Sequence, residues 1–244
     1  MINCYKSKVM KKYLDDDVYN PHYARHGILL NKHQLVCGAT GTGKTNYICN
    51  LLSQMDNTFG QICIFTKDVK EPIYQCIKDQ LKDKCILETL SKIPYLLDVK
   101  GGCEKLFVFD DFLSEGNNTM LKLIDYATLG RKHNITCCFL AQSFYAVPKP
   151  VRQNCTYIVL LSMCDKRNLD LIVSTLGIHV DAKLTKQAIN NACKFKMNIC
   201  IIDLLNTDLN RKIRRNFGDY YTLLNDDGSE VDKVELYKTD GLLN

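Results

Sequence analysis

Five short apolar runs recur along the chain, each followed by a polar or helix-patterned stretch: Gln34–Cys37, Gln61–Phe65, Leu106–Phe109, Thr136–Ala141 and Tyr157–Leu161. Apolar runs without alternation read as strands buried on both faces, the mark of a mainly parallel sheet covered by helices. Helical patterns lie between them. After Lys44, the residues Ile48, Leu51, Leu52 and Met55 follow the i, i+3, i+4, i+7 spacing of one apolar helix face, and Met120–Leu129 and Leu169–Leu176 are further helices. Alternating strands and helices predict an α/β sandwich with right-handed crossovers. Asn198–Leu205 predicts one more strand, with the basic stretch Arg211–Arg215 paired to it across Asn206–Asn210 as a small β extension.

The ends are different in character. Residues 1–32 are polar, with an acidic run at Asp15, Asp16 and Asp17 that reads as a solvated loop and a turn at Asn20-Pro21. After Gly218 the chain is polar and acidic, and is expected to be mobile. The expected division is therefore a polar segment over 1–32, one globular domain over 33–217 that includes the basic β extension near 198–215, and an acidic tail over 218–244.

The first apolar run leads into Gly38-Ala39-Thr40-Gly41-Thr42-Gly43-Lys44-Thr45, a complete G-x-x-x-x-G-K-[ST] phosphate loop, or Walker A motif, set between strand and helix. Its glycines let the backbone curl until successive N–H groups face phosphate oxygens, and the helix N-terminus adds its positive end. Lys44 is placed to reach the β- and γ-phosphates, and the Thr45 hydroxyl to ligate magnesium. A phosphate loop does not by itself separate an ATPase from a GTPase or a kinase.

The run Leu106-Phe107-Val108-Phe109-Asp110-Asp111 narrows the choice as a Walker B strand ending in paired carboxylates. Asp110 at the strand tip would hold magnesium, and Asp111 would orient and polarise an attacking water. The strand Gln61–Phe65 lies between the loop strand and the Asp110 strand in sequence, which is typical of the motor-type branch of P-loop proteins. Guanine recognition is not expected, because Asn31-Lys32-His33-Gln34 lacks the Asp of Asn-Lys-x-Asp and precedes the loop. Gln142 ends the strand Thr136–Ala141 and is expected to sense the γ-phosphate. Arg131 before that strand and Arg152 after it are the two candidates for an arginine finger given to a neighbouring subunit, with Arg131 preferred.

Composition changes the picture little. With 46% hydrophobic and 24% charged residues, and no apolar run near the roughly 18 that a membrane span needs, the chain is expected to be soluble and intracellular. Its 13 cysteines include no Cys-x-x-Cys pair, and many sit in apolar stretches such as Ile62-Cys63-Ile64. They read as buried reduced thiols. Charge is more informative: residues 218–244 carry seven acidic and two basic side chains, so a net charge of +5 leaves the rest at +10. A basic body fits a nucleic-acid partner without requiring one. Between Lys183 and Arg215 stand eight basic residues and only two acids, and Arg211, Lys212, Arg214 and Arg215 form the expected DNA-contacting patch. A solvated edge strand blunted by its charges is a comparable reading.

The loop Gly-Ala-Thr-Gly-Thr-Gly-Lys-Thr-Asn-Tyr, the Phe107–Asp111 strand and above all the stretch from Ala141 to Asn154 resemble the genome-packaging ATPases of poxviruses, other large DNA viruses and their virophages, within the FtsK–HerA superfamily. The resemblance spans about residues 30–165. It implies a three-layer P-loop NTPase fold and a homo-oligomeric ring, pentamer or hexamer, that threads duplex DNA into a capsid using ATP and Mg2+. It implies the roles above for Lys44, Thr45, Asp110, Asp111 and Gln142, with capsid or internal membrane proteins as partners. The location it implies is the infected-cell cytoplasm or viral factory, and the virion. Asp111 stands where Glu is commoner in the superfamily. A cellular-type translocase or helicase shares all of this chemistry; a nucleotide kinase or a non-hydrolysing ATP switch fits Asp111 and Gln142 less well.

Overall fold

A computed structural model describes residues 19–162, 166–178 and 180–238, so the Asp15–Asp17 run and Asp240 lie outside it. Among the described residues ten strands form one sheet: β1 (His33–Cys37), β2 (Gln61–Thr66), β3 (Cys85–Thr89), β4 (Lys105–Asp110), β5 (Ile135–Ala141), β6 (Cys155–Leu161), β7 (Ile199–Asp203), β8 (Ile213–Arg215), β9 (Asp219–Leu224) and β10 (Glu230–Tyr237). Their order in space is β10-β9-β8-β7-β6-β1-β5-β4-β2-β3. The half from β6 to β3 is parallel, and β7 to β10 add on antiparallel. The helices are α1 (Tyr23–His26), α2 (Lys44–Gln54), α3 (Pro72–Leu81), α4 (Asn117–Leu129), α5 (Lys149–Asn154), α6 (Lys166–Leu176) and α7 (Ala182–Ala192).

Two apolar layers explain the continuous runs in the sequence. Leu35, Phe107 and Phe109 point to one face, where α4, α5, α6 and α7 cover them through residues such as Tyr126, Val151, Ile172 and Ile189. Their neighbours Val36, Leu106 and Val108 point to the other, under Ile48 and Leu51 of α2 and Tyr74 and Ile77 of α3. Because strand side chains alternate, a strand covered on both sides must be apolar at every position. The buried thiols Cys37, Cys63, Cys137 and Cys138 belong to these layers and form no disulfide. No helix among the described residues is long and apolar enough to cross a membrane.

β2 lies between β1 and the Asp110 strand in sequence, as expected, and outside β4 in space, where β5 separates the two. Two expectations change. Residues 219–237, expected to belong to a mobile tail, form a β-hairpin: Tyr221, Leu223 and Val234 are buried while charges such as Asp232 and Glu235 face out. Asn210 clamps β9 by accepting from the N–H groups of Leu223 (2.7 Å) and Leu224 (2.8 Å) and donating to Leu224 O (2.9 Å). At the other end, residues 19–32 are part of the domain, with His26 and Ile28 wholly buried and Leu30 nearly so.

Candidate active site

Strand register assembles the site. Cys37 lies opposite Ala141, so Gly38 and Gln142 leave the sheet side by side, and Gly38 N–H donates to Ala141 O at 3.2 Å. Asp110 lies opposite Leu140, which sets Asp111 next to the same strand end. The carboxyl ends of β1, β5 and β4 thus meet in one cleft, as expected where ligands bind open α/β sheets. Gln142 Nε2 donates to Asp111 Oδ1 at 3.3 Å.

The loop has the backbone its glycines allow. Gly41 and Gly43 have φ of 77° and 104°, and a Cβ on Gly38 would lie 2.5 Å from Thr42 Oγ1 and 3.0 Å from Leu161 Cβ. Thr42 closes the turn by donating to Ala39 O at 2.7 Å. The Lys44 ammonium donates to Gly38 O (3.0 Å) and Ala39 O (3.2 Å), so its charge sits over the loop. These N–H groups and the ammonium form a cradle for phosphate.

Facing the loop across the cleft are Thr66, Lys67, Asp68 and Glu71, none of them singled out from the sequence. Thr66 ends β2 and the other three follow it, where the strand's carboxyl end opens on the same crevice, and the polar run after Gln61–Phe65 was the available signal. Tyr74 on α3 is also new: its hydroxyl donates to Asp110 Oδ2 at 2.7 Å. Three residues earlier, Glu71 lines the same cleft as Thr45. Burial raises the Glu71 carboxyl above its ordinary value. Burial likewise raises Asp110, and the charge of Asp111 adds to this while the Tyr74 hydrogen bond opposes it. Lys67 hydrogen-bonds Ser114 at the rim.

No cluster of three or more His, Cys, Asp or Glu suited to a metal occurs among the described residues. Thr45 and Asp110 supply two hard oxygens beside the cradle, and an ion taking few protein ligands and filling its shell with phosphate and water is magnesium-like. The donor set fits that ion.

Neither arginine lines its own chain's cleft. Arg131 precedes β5 at the opposite, amino-terminal end of the central strands, where its charge acts on His33 at the start of β1, about 20 Å from Gln142 at 3.3 Å per strand residue. Arg152 on α5 lies 5.2 Å from the ring centres of both Phe144 and Tyr145.

The basic patch is corrected. Arg214 is 1% exposed and donates to His26 O (2.9 Å), Phe217 O (3.3 Å) and Gly27 O (3.5 Å), with Asp203 at 3.9 Å. Side chains alternate along β8: Ile213 packs in the layer of α7, and Arg214 turns to the other face, under the end of α1. Arg215 pairs with Asp219 at 2.6 Å. Arg211 is exposed and Lys212 half-buried, both in the turn before the strand.

The sequence pattern that defines the poxvirus A32 proteins matches residues 20–214. The chain belongs to the poxvirus A32 family. No curated protein sequence matches it. Among solved structures, this A32-family chain is similar to the DNA-packaging ATPase B204 of Sulfolobus turreted icosahedral virus. The TM-score is 0.52 at 12% identity, over 78% of this chain and 98% of that one. The genome-packaging NTPase B204 of Sulfolobus turreted icosahedral virus 2 in complex with sulfate gives 0.54 at 11% identity, over 78% and 97%. Its complex with ATP-gammaS gives 0.51 at 11%, over 76% and 96%. At such identities the likeness establishes the fold alone: the A32-family chain has the P-loop architecture of these packaging ATPases.

Proposed function

We propose that this A32-family chain is an ATP-hydrolysing DNA translocase that packages a viral duplex genome, working as a homo-oligomeric ring. The contact between Gln142 and Asp111 beside the phosphate loop carries this reading. A carboxylate and an amide that touch at the γ-phosphate end of the cleft orient a water for attack, whereas a kinase must exclude water there. Membership of the A32 family and the fold shared with packaging ATPases support the viral role.

The residues divide the work. Backbone N–H groups from Gly38 to Thr45 and the Lys44 ammonium hold the phosphates. Thr45 and Asp110 would hold magnesium, which when bound would supply positive charge to the phosphates. Asp111 accepts the proton of the attacking water as its oxygen bonds to the γ-phosphorus and the bond to the β-phosphate oxygen breaks. Gln142 fixes the Asp111 carboxylate and reports the change at the γ-phosphate to β5. An arginine outside the cleft of its own chain, Arg131 or Arg152, completes the site of the next subunit. DNA contact falls to exposed Arg211 and half-buried Lys212, together with exposed Lys183, Lys194 and Lys196. Capsid or internal membrane proteins are the docking partners, and the infected-cell cytoplasm or viral factory and the virion are the sites of action.

The test is steady-state ATPase rate against protein concentration, with and without linear duplex DNA, at two salt concentrations. A ring motor gives a per-subunit rate that rises with concentration and with DNA and loses the DNA effect in salt. A rate flat in both, or phosphate delivered to a nucleotide acceptor, rejects the motor.

A further inference from the structure

The turn that joins α7 to β7 touches the phosphate loop and carries exposed cations. The Met197 sulfur lies 3.4 Å from where a Cβ on Gly43 would stand. Lys194, Phe195 and Lys196 are exposed, and the two ammonium groups are among the cations assigned above to DNA. The turn is folded by Asn198 N–H, which donates to Phe195 O at 3.1 Å, and Met197 takes a left-handed backbone at φ 73°.

A cysteine stands at each end of this turn. Cys193 caps α7 and is half-buried, whereas Cys200 lies within β7 and is wholly buried. Both are thiols in this structure. Strand register brings them together. Cys200 lies opposite Leu160 of β6, and Cys193 Sγ donates to Leu160 O at 3.4 Å, so Cys193 meets the sheet at the position of Cys200. Both side chains belong to the apolar layer on the α7 face. Burial, and after it the Cys193 thiol alongside, raises the Cys200 thiol well above its ordinary value.

We propose that Cys193 and Cys200 form a reversible disulfide that acts as a redox switch, fixing this turn and so weakening the response of turnover to DNA. The DNA part rests on the translocase reading; the bridge itself does not. The exchange takes a small-molecule disulfide such as oxidised glutathione. The Cys193 thiolate attacks one of its sulfurs, and one glutathione leaves as a thiolate. The Cys200 thiolate then attacks the Cys193 sulfur and releases the second. The two thiol protons pass to the two departing thiolates, so one disulfide is reduced as another forms. Access sets the order, because solvent reaches Cys193 and Cys200 needs only the sulfur already beside it. The bridge closes residues 193–200 into a ring and removes most of the turn's freedom. Met197 can follow the phosphate loop, and the two lysines the DNA backbone, only while the turn can adjust.

Trypsin supplies the assay, because Lys194 and Lys196 stand between the cysteines. The full chain is incubated with oxidised glutathione, its remaining thiols are blocked with iodoacetamide, and it is digested. Peptides Gln187–Lys194 and Met197–Arg211 should be joined by a disulfide and should separate after dithiothreitol. The bridged protein should need about tenfold more duplex DNA for half-maximal stimulation, the loss expected for one or two phosphate contacts, and should recover on reduction. Cys193→Ser keeps a donor for Leu160 O and should show neither change, with its melting temperature verifying the fold. Any effect of the exposed Cys76 and Cys103 appears in that variant too. Separate peptides in the wild type, or glutathione left on Cys193, overturn the bridge. A bridge that leaves the DNA response unchanged overturns the switch. A reduced protein with no DNA response overturns the translocase reading and the switch with it, while the joined peptides stand or fall on their own.

Discussion

Asp111 follows β4 with a left-handed backbone (φ 56°), and that turn carries its carboxylate away from Asp110 towards Gln142. Two adjacent carboxylates thereby take different surroundings: Asp110 is buried against the Tyr74 hydroxyl, and Asp111 is exposed to water. Asp111→Asn is expected to lower turnover by about a hundredfold to ten-thousandfold, the usual range for a lost general base, while ADP affinity holds. Single-turnover hydrolysis beside calorimetry separates the two, and an equal loss in both would show a misfolded cleft instead. Tyr74→Phe removes one hydrogen bond from Asp110 and should weaken metal affinity in the ADP complex about tenfold to a hundredfold, as outer partners of ligands do. Paramagnetic resonance with Mn2+ reads it directly; unchanged affinity would reduce Tyr74 to packing. The loop and the Asp pair were legible because each is contiguous in sequence. Glu71 and Tyr74 were not, since Glu71 joins Thr45 in the cleft, and Tyr74 reaches Asp110, only when α3 lies across it.

At the scale of elements, the C-terminal quarter departs most from its sequence pattern. Five residues with four cations, Arg211–Arg215, suggested a charged surface, yet alternation turns Arg214 inward to bind the carbonyls that end α1. Gly27 makes this possible, because a Cβ there would lie 2.5 Å from Arg214 Nη1. Arg214→Ala leaves those carbonyls and Asp203 buried without their cation, and should cost about 3–5 kcal/mol of stability. Arg211→Glu, on an exposed turn, should leave stability unchanged and lessen any DNA stimulation of turnover. Denaturant melts of both variants check the contrast. Equal and small losses would return Arg214 to the surface reading. The hairpin of β9 and β10 was missed for a related reason: only one face of it is covered, so its outward charges dominate the composition of the stretch.

Across the whole molecule, two buried histidines couple the fold to pH. His26 Nδ1 accepts from Ile28 N–H at 2.9 Å and His33 Nδ1 from Cys137 N–H at 3.1 Å. Burial, helped by the charge of Arg214 for His26 and of Arg131 for His33, lowers both from 6.5 to about 4. Depressed values in the folded state mean that the unfolded chain takes up protons first. The contribution of each imidazole is therefore complete above pH 6.5 and is lost as pH falls towards 4. At 1.36 kcal/mol per pH unit the loss is on the order of 3 kcal/mol for each. Urea unfolding at pH 7, 6 and 5 should show a steep fall in stability, made shallower by His33→Asn, whose amide oxygen can accept the same N–H. A flat profile would place both imidazoles in contact with water.

Local chemistry and local period were settled by the sequence alone. A phosphate loop needs its glycines, lysine and threonine within eight positions, and a doubly covered strand needs continuous apolar residues, so both can be read from neighbours in the chain. Tertiary structure decided what depends on residues far apart in sequence. The order of strands set β5, and not β2, between the loop and Asp110, and so brought Gln142 to Asp111. The end of α1, lying over the other face of β8, decided that Arg214 is a buried tie and not a surface charge. Such choices rest on which side of a strand another element covers, and that is a property of the packed molecule.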